Sequence, residues 1–95
     1  RDVRDVYVDV AFLGTNGLTV EQGLTTPDLV EAGVKRALVA AARRTVVLAD
    51  HTKIGRSEFA HVAPLSAVDT VVTDSGLEPE LAEEIESCGP RVVRA

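Results

Sequence analysis

Thr45-Val46-Val47-Leu48-Ala49 carries no charge, and it stops at Asp50-His51-Thr52-Lys53. A strand apolar on both sides belongs to a parallel sheet, where helices cover both faces. Parallel neighbours need a crossover of about a dozen residues or more between them, usually a helix. This one run therefore demands at least one further strand and a helix in front of it.

Both are present. From Val6 the pattern alternates, with Val6, Val8, Val10 and Phe12 on one side and Tyr7, Asp9 and Ala11 on the other. It then runs apolar through Leu13 until Gly14 ends it. That is a strand passing from half-buried to fully buried. Leu18 to Thr26 reads as a connecting loop. Thr26-Pro27 reads as N-cap and first helical position, with Asp28 in the first turn, where a carboxylate suits the helix dipole. The helix is expected from Pro27 to about Arg43, burying a stripe of Val30, Val34, Ala37, Leu38 and Ala41. Gly33 beside that stripe would permit close approach to the sheet. Arg43-Arg44 would close the helix with positive charge at its negative end.

After Asp50–Lys53, residues Ile54 to Leu65 form a polar connection anchored by Phe59 and Val62, compatible with a short extra strand near Phe59–Val62. Val68 to Thr73 is a third strand, ending at Asp74-Ser75-Gly76. Pro79 to Ser87 is a second helix, with Leu81, Ala82, Ile85 and Cys88 inward and Glu80, Glu83, Glu84 and Glu86 outward. Gly89 and Pro90 stop it. Arg91-Val92-Val93-Arg94 is a last short strand. Strands are thus expected near residues 7–13, 45–49, 69–73 and 91–94. The fold class is α/β, a mainly parallel sheet with flanking helices and right-handed connections, in a single domain over residues 1–95.

Composition narrows the function. Aromatics are 3% of the chain, so Val, Leu and Ala must build the core. A net charge of −5 with no dense Lys/Arg stripe repels phosphate backbones, so no direct contact with nucleic acid is expected. The lone Cys88 makes no internal disulfide and no metal cluster, which fits a reducing cytoplasm. No apolar run approaches a membrane span and nothing reads as a signal peptide. The chain opens on Arg1-Asp2 without an initiator Met and is expected to be a piece of something longer.

In an open parallel sheet, ligands bind outside the carboxyl ends of the strands. Three such ends carry polar tips: Gly14-Thr15-Asn16-Gly17, Asp50-His51-Thr52-Lys53 and Thr73-Asp74-Ser75-Gly76. The chemistry they offer is recognition of a small polyhydroxylated or phosphorylated molecule. Gly14 and Gly17 allow backbone amides to approach an oxyanion. Asn16 can donate to and accept from hydroxyls, and Lys53 supplies a point charge for phosphate. Asp50 could accept hydroxyls or orient Lys53; a local Asx turn explains Asp50 and Lys53 equally well. Glu31 and Lys35, at i,i+4, are either a surface pair or groups facing a pocket at the sheet edge. His51 beside Asp50 invites a catalytic reading, but no nucleophile accompanies it, and a turn histidine is more often simply solvated. His61 and Cys88 are too isolated for a metal site. No catalytic residue, cofactor or metal is expected.

In order and spacing, Asp9 to Leu18, Gly23-Leu24-Thr25, Glu31…Val34-Lys35-Arg36-Ala37, Val47 to Lys53 and Val68 to Asp74 resemble the C-terminal effector-binding domain of DeoR-type transcriptional repressors. The resemblance covers the chain from about Val8 to its end. It implies a sensor that binds a phosphorylated sugar or related metabolite and, within an oligomer, controls operator binding by a separate helix-turn-helix domain. It also implies a fold similar to ribose-5-phosphate isomerase, here in part. Asp9–Gly17 resembles that enzyme's Asp-Gly-Ala-Asp-Glu loop, Glu31…Lys35 its Glu-Lys helix start, and Asp50…Lys53 its Asp-Ser-Lys turn. The expected ligand-binding set is Gly14, Thr15, Asn16, Gly17, Glu31, Lys35, Asp50 and Lys53. Gly14-Thr15-Asn16-Gly17 holds no ionisable group where the isomerase needs carboxylates, which favours binding without turnover. The helix-turn-helix and the upstream half of the sensor domain are expected to lie outside this sequence. An isomerase-like enzyme fragment and a pure assembly module are the competing classes.

Overall fold

A computed structural model describes residues 8–95. The expected alternation at Val6 and Tyr7 lies outside the described residues. Four parallel strands form the main sheet: β1 (Val8–Gly14), β4 (Ala42–Leu48), β6 (Thr70–Thr73) and β7 (Arg91–Arg94), in that spatial order. A second, antiparallel sheet is made of β2 (Gly17–Thr19), β3 (Gly23–Thr26) and β5 (Ala60–Ala63). Helix α1 (Leu29–Ala41) precedes β4, and α2 (Pro79–Ser87) precedes β7.

Strand order explains the layering. Each new strand of the main sheet is added on the same side of the last one. Crossovers of a single hand then all fall on one face of the sheet. The register agrees: Ala11 with Thr45, Leu13 with Val47 and Val47 with Val71 share the covered face, and all five are buried. The core gathers there, with Leu18, Leu24, Val62, Leu65, Val68, Leu77 and Ile85 packed beside Val47 and Val71. The opposite face carries Phe12, Val46, Leu48 and Val72. Phe12 is 68% and Leu48 48% exposed. The Thr45–Ala49 run implies a sheet covered on both faces; among the described residues only one is covered.

Several local expectations need correction. Leu18–Thr26 is not a plain loop. It folds back as the β2–β3 hairpin, turning through Val20-Glu21-Gln22 with Gly23 at φ +73°, a left-handed position that suits glycine. The cap of α1 is Asp28 rather than Thr26, because the Asp28 carboxylate accepts from the Val30 and Glu31 amides at 2.8 and 3.2 Å. Pro27 therefore lies outside the helix. Arg43 and Arg44 do not close α1; they belong to β4, whose pairing with β1 begins at Val8–Ala42 and overrides local helical propensity.

The apolar stripe assigned to α1 faces the wrong way. Val30 is 77% and Val34 53% exposed, whereas Ala32 is fully buried and Val39 packs on the core. Gly33 makes no close approach to the sheet; only the Arg36 side chain would lie within 4 Å of a side chain there. Half-buried Lys35 and exposed Arg36 also tie the helix down, their charged ends reaching backbone carbonyls. Helix α2 matches expectation, with Ala82 and Ile85 buried and Glu80, Glu83, Glu84 and Glu86 exposed.

Candidate functional site

The three strand tips are level. Gly14 pairs with Leu48, and Leu48 with Val72, so Thr15–Asn16, Ala49–Asp50 and Thr73–Asp74 emerge side by side at the carboxyl edge of the sheet.

At the β1 tip, Thr15 is committed inward: its hydroxyl lies 2.8 Å from the Gly17 carbonyl and 3.2 Å from that of Thr25. Asn16 is exposed, and its side-chain oxygen accepts from the Thr26 hydroxyl at 3.1 Å. That leaves the Asn16 amide as a donor for a ligand. The two glycines differ. A side chain on Gly14 would meet nothing within 4 Å, so the space beside it is open. Gly17 is buried, and a side chain there would collide with the Arg56 carbonyl at 2.5 Å and the Thr25 hydroxyl at 2.7 Å. The close approach that Gly17 permits is to this chain's own backbone.

Lys35 reaches the same tip from α1. Its ammonium donates to the Gly14 carbonyl at 2.7 Å and pairs with Glu31 at 2.9 Å. Two of its three donors are thus engaged, which makes Lys35 a tie between helix and strand with one N–H to spare. Glu31 stands 45% exposed beside it.

At the β4 tip, Asp50 caps a single 3-10 turn, His51–Lys53, accepting from the backbone amide of Thr52 at 2.9 Å and from its hydroxyl. Those contacts, the hydroxyl first, hold the Asp50 carboxyl below the usual carboxylate range. Asp74, from the β6 tip, grips the same turn. It accepts from the His51 amide at 2.9 Å, the Gly76 amide at 2.8 Å and the His51 ring Nδ1 at 2.8 Å. The two amides, His51 first, hold Asp74 low as well. Beyond the turn, Ile54 bridges Leu18 and the Gly55 amide donates to the Leu18 carbonyl at 2.8 Å, joining the turn to the second sheet. Lys53 is half-buried, and among the described residues its ammonium has no ion-pair or hydrogen-bond partner.

The expected residues therefore form two neighbouring groups, Gly14–Asn16 with Glu31 and Lys35, and Asp50 with Lys53. No hydrogen bond or ion pair among the described residues joins one group to the other. His51 and Asp74, which the sequence places at two of the tips but outside the expected binding set, prove to be paired with each other. Two aspartates ending adjacent strands was the available signal, but it means nothing until strand order is known.

A separate cavity of about 170 Å³ lies between the hairpin and α2, against Leu18, Ile54, Leu81 and Ile85. None of the expected residues lines it. Glu21 and Glu84 in its walls give it the wrong sign for a phosphate. Among the described residues there is no group of three or more His, Cys, Asp or Glu arranged to hold a metal, and no helix long and apolar enough to cross a membrane.

A family model for the DeoR C terminal sensor domain matches residues 1–75. The chain belongs to this family. Among its relatives, the HTH-type transcriptional regulator GlpR of Haloferax volcanii is 47% identical over 85 residues, 90% of this chain and 33% of that protein. The putative sgc region transcriptional regulator of Escherichia coli K12 is 34% identical over 82 residues, 86% of this chain and 32% of that protein. The putative aga operon transcriptional repressor of Escherichia coli O157:H7 is 25% identical over 93 residues, 98% of this chain and 35% of that protein. The chain spans about a third of the length of these relatives. The domain is built on a mainly parallel α/β sheet.

Proposed function

We propose that this sensor domain binds a phosphorylated sugar, without turnover, at the level strand tips. Binding there controls operator affinity in a separate helix-turn-helix domain of the same regulator, within a cytoplasmic homo-oligomer. One observation carries the reading: Lys53, its ammonium without a partner among the described residues, stands at an edge where the space beside Gly14 is open and Asn16 keeps a free donor. In the proposed division of labour, Lys53 and the exposed Gly14–Asn16 part of the first tip take phosphate. Asn16 and Asp50 take hydroxyls, and Glu31 with Lys35 sets the height of the Gly14 tip. The turn at Gly14–Gly17 has no acid or base to move a proton from carbon, so the pocket binds and does not isomerise.

The control is a population shift. The effector stabilises one arrangement of the regulator only through its differential affinity for the two states. The test is calorimetric titration of the full-length regulator with triose, pentose and hexose phosphates. A sugar phosphate should bind and release operator DNA. Lys53→Ala should weaken it at least about tenfold, the scale of one charge-assisted hydrogen bond. Unchanged affinity would remove Lys53 from the phosphate site, and product formed from ribose 5-phosphate would overturn the sensor-only reading.

A further inference from the structure

The ring of His51 is aimed. Its Nδ1 lies 2.8 Å from Asp74 Oδ1, while its own amide donates to Asp74 Oδ2 at 2.9 Å, so one carboxylate fixes both backbone and ring. Gly76 completes the seat. A side chain on Gly76 would strike the ring at Nδ1, 2.5 Å away, and at Cε1, 2.7 Å away, so that edge of the imidazole rests on bare backbone. An ionised carboxylate only accepts hydrogen bonds, so the proton between them belongs to Nδ1. The remaining nitrogen, Nε2, has no partner among the described residues, and the side chain is 47% exposed. A solvated turn histidine needs none of this: no carboxylate from a neighbouring strand, no glycine cleared beneath its ring.

We propose that His51 is a ligand-contacting residue of the effector site, with Nε2 accepting a hydrogen bond from a sugar hydroxyl, and that Asp74 is the positioning residue that aims it. The inference rests on the sugar-phosphate reading above and extends the site from the β4 tip to that of β6. In the neutral ring with Nδ1 protonated, Nε2 carries a lone pair, and the donors a phosphorylated sugar offers are its hydroxyls. His51 stands two residues before Lys53 on the same short turn. Phosphate on Lys53 and a hydroxyl on His51 are therefore contacts that one small molecule can make together. Asp74 thus plays the part of an outer carboxylate that fixes the tautomer and orientation of an imidazole, as such partners do for metal-bound histidines.

The test uses the full-length regulator and separates the two nitrogens. His51→Asn keeps a side-chain amide where Nδ1 lies, so it can still bond Asp74, but it places nothing at Nε2. His51→Gln extends an amide toward the Nε2 position. Titration of each variant with the triose, pentose and hexose phosphates that bind the wild type should show His51→Asn weakened about tenfold or more and His51→Gln retaining more affinity. Asp74→Asn should weaken binding to a similar extent. In long-range imidazole 1H–15N spectra of the wild type, the bound sugar phosphate should shift Nε2, a change that a purely structural histidine would not show. If the wild type binds and His51→Asn binds equally well with no Nε2 shift, the contact is overturned while the sensor reading stands. If the wild type binds none of the sugar phosphates, both fall together.

Discussion

Lys35 and Lys53 carry the same charge at the same edge of the sheet, yet their surroundings give them different work. Lys35 spends its donors on the Gly14 carbonyl and Glu31; Lys53 spends none among the described residues. Lys35→Ala should therefore lower stability by about 1 kcal/mol, the net worth of a typical intramolecular hydrogen bond. Lys53→Ala should leave stability within about 0.5 kcal/mol of the wild type, as surface changes usually do, and act on effector affinity instead. Urea midpoints beside ligand titrations check the split. Acid provides a second check. Asp50 and Asp74 are both held below their ordinary value of 3.8, so what they contribute is complete above that pH and is lost as pH falls through their lower folded values. As pH falls below 3.8 the wild type should lose the His51 tie, followed by its amide resonance, while Asp74→Asn should show no such transition at that amide. A shared transition would show that the carboxylate does not hold the turn. At this scale the strand tips were legible in the sequence, because an apolar run that ends in Asp or Gly announces its end. The His51–Asp74 pair was not, since residues 23 apart meet only once β6 is known to lie beside β4.

At the scale of elements, legibility followed how local the cause was. Helix α2 could be read because its apolar spacing, Pro79 at its start and Gly89 with Pro90 after it all point one way. In α1 the local signals conflict with the packing. Its most apolar side, with Val30 and Val34, is exposed, and the side that packs carries a small Ala32, while two long cations tie the helix down. Periodicity finds the apolar side and cannot know that Lys35 and Arg36 reach carbonyls on β1 and β5. The hairpin was missed for another reason: its strands are 3 and 4 residues long, too short for alternation to register. The start of α1 yields a direct prediction. With Asp28 supplying the side-chain cap, Asp28→Ala should cost about 1 kcal/mol, which lowers Tm by roughly 4–8 °C in a domain of this size. Thr26→Val should leave the cap intact and disturb the Asn16 contact instead, and thermal melts of the two variants would tell them apart.

For the molecule as a whole, the decisive fact is that strands are added in one direction, which puts every connection on one face. The uncovered face presents Phe12 and Leu48 to solvent, and large exposed apolar patches drive association. The isolated chain of 95 residues should therefore show a sedimentation coefficient that rises with concentration, and Phe12→Asp should suppress the rise. A concentration-independent monomer would show that this face tolerates water. A reversal of strand order, the usual place for a ligand crevice, does not occur among the described residues, so the candidate site is made from tips and turns alone. The 3-10 turn at His51–Lys53 is the most connected of these. Asp74 holds its beginning to the main sheet, and Leu18 holds the residues just beyond it to the second sheet. A segment fastened at both ends to two sheets that share one core couples them, so an effector held at Lys53, as proposed, would have its displacement of the turn reach both sheets together.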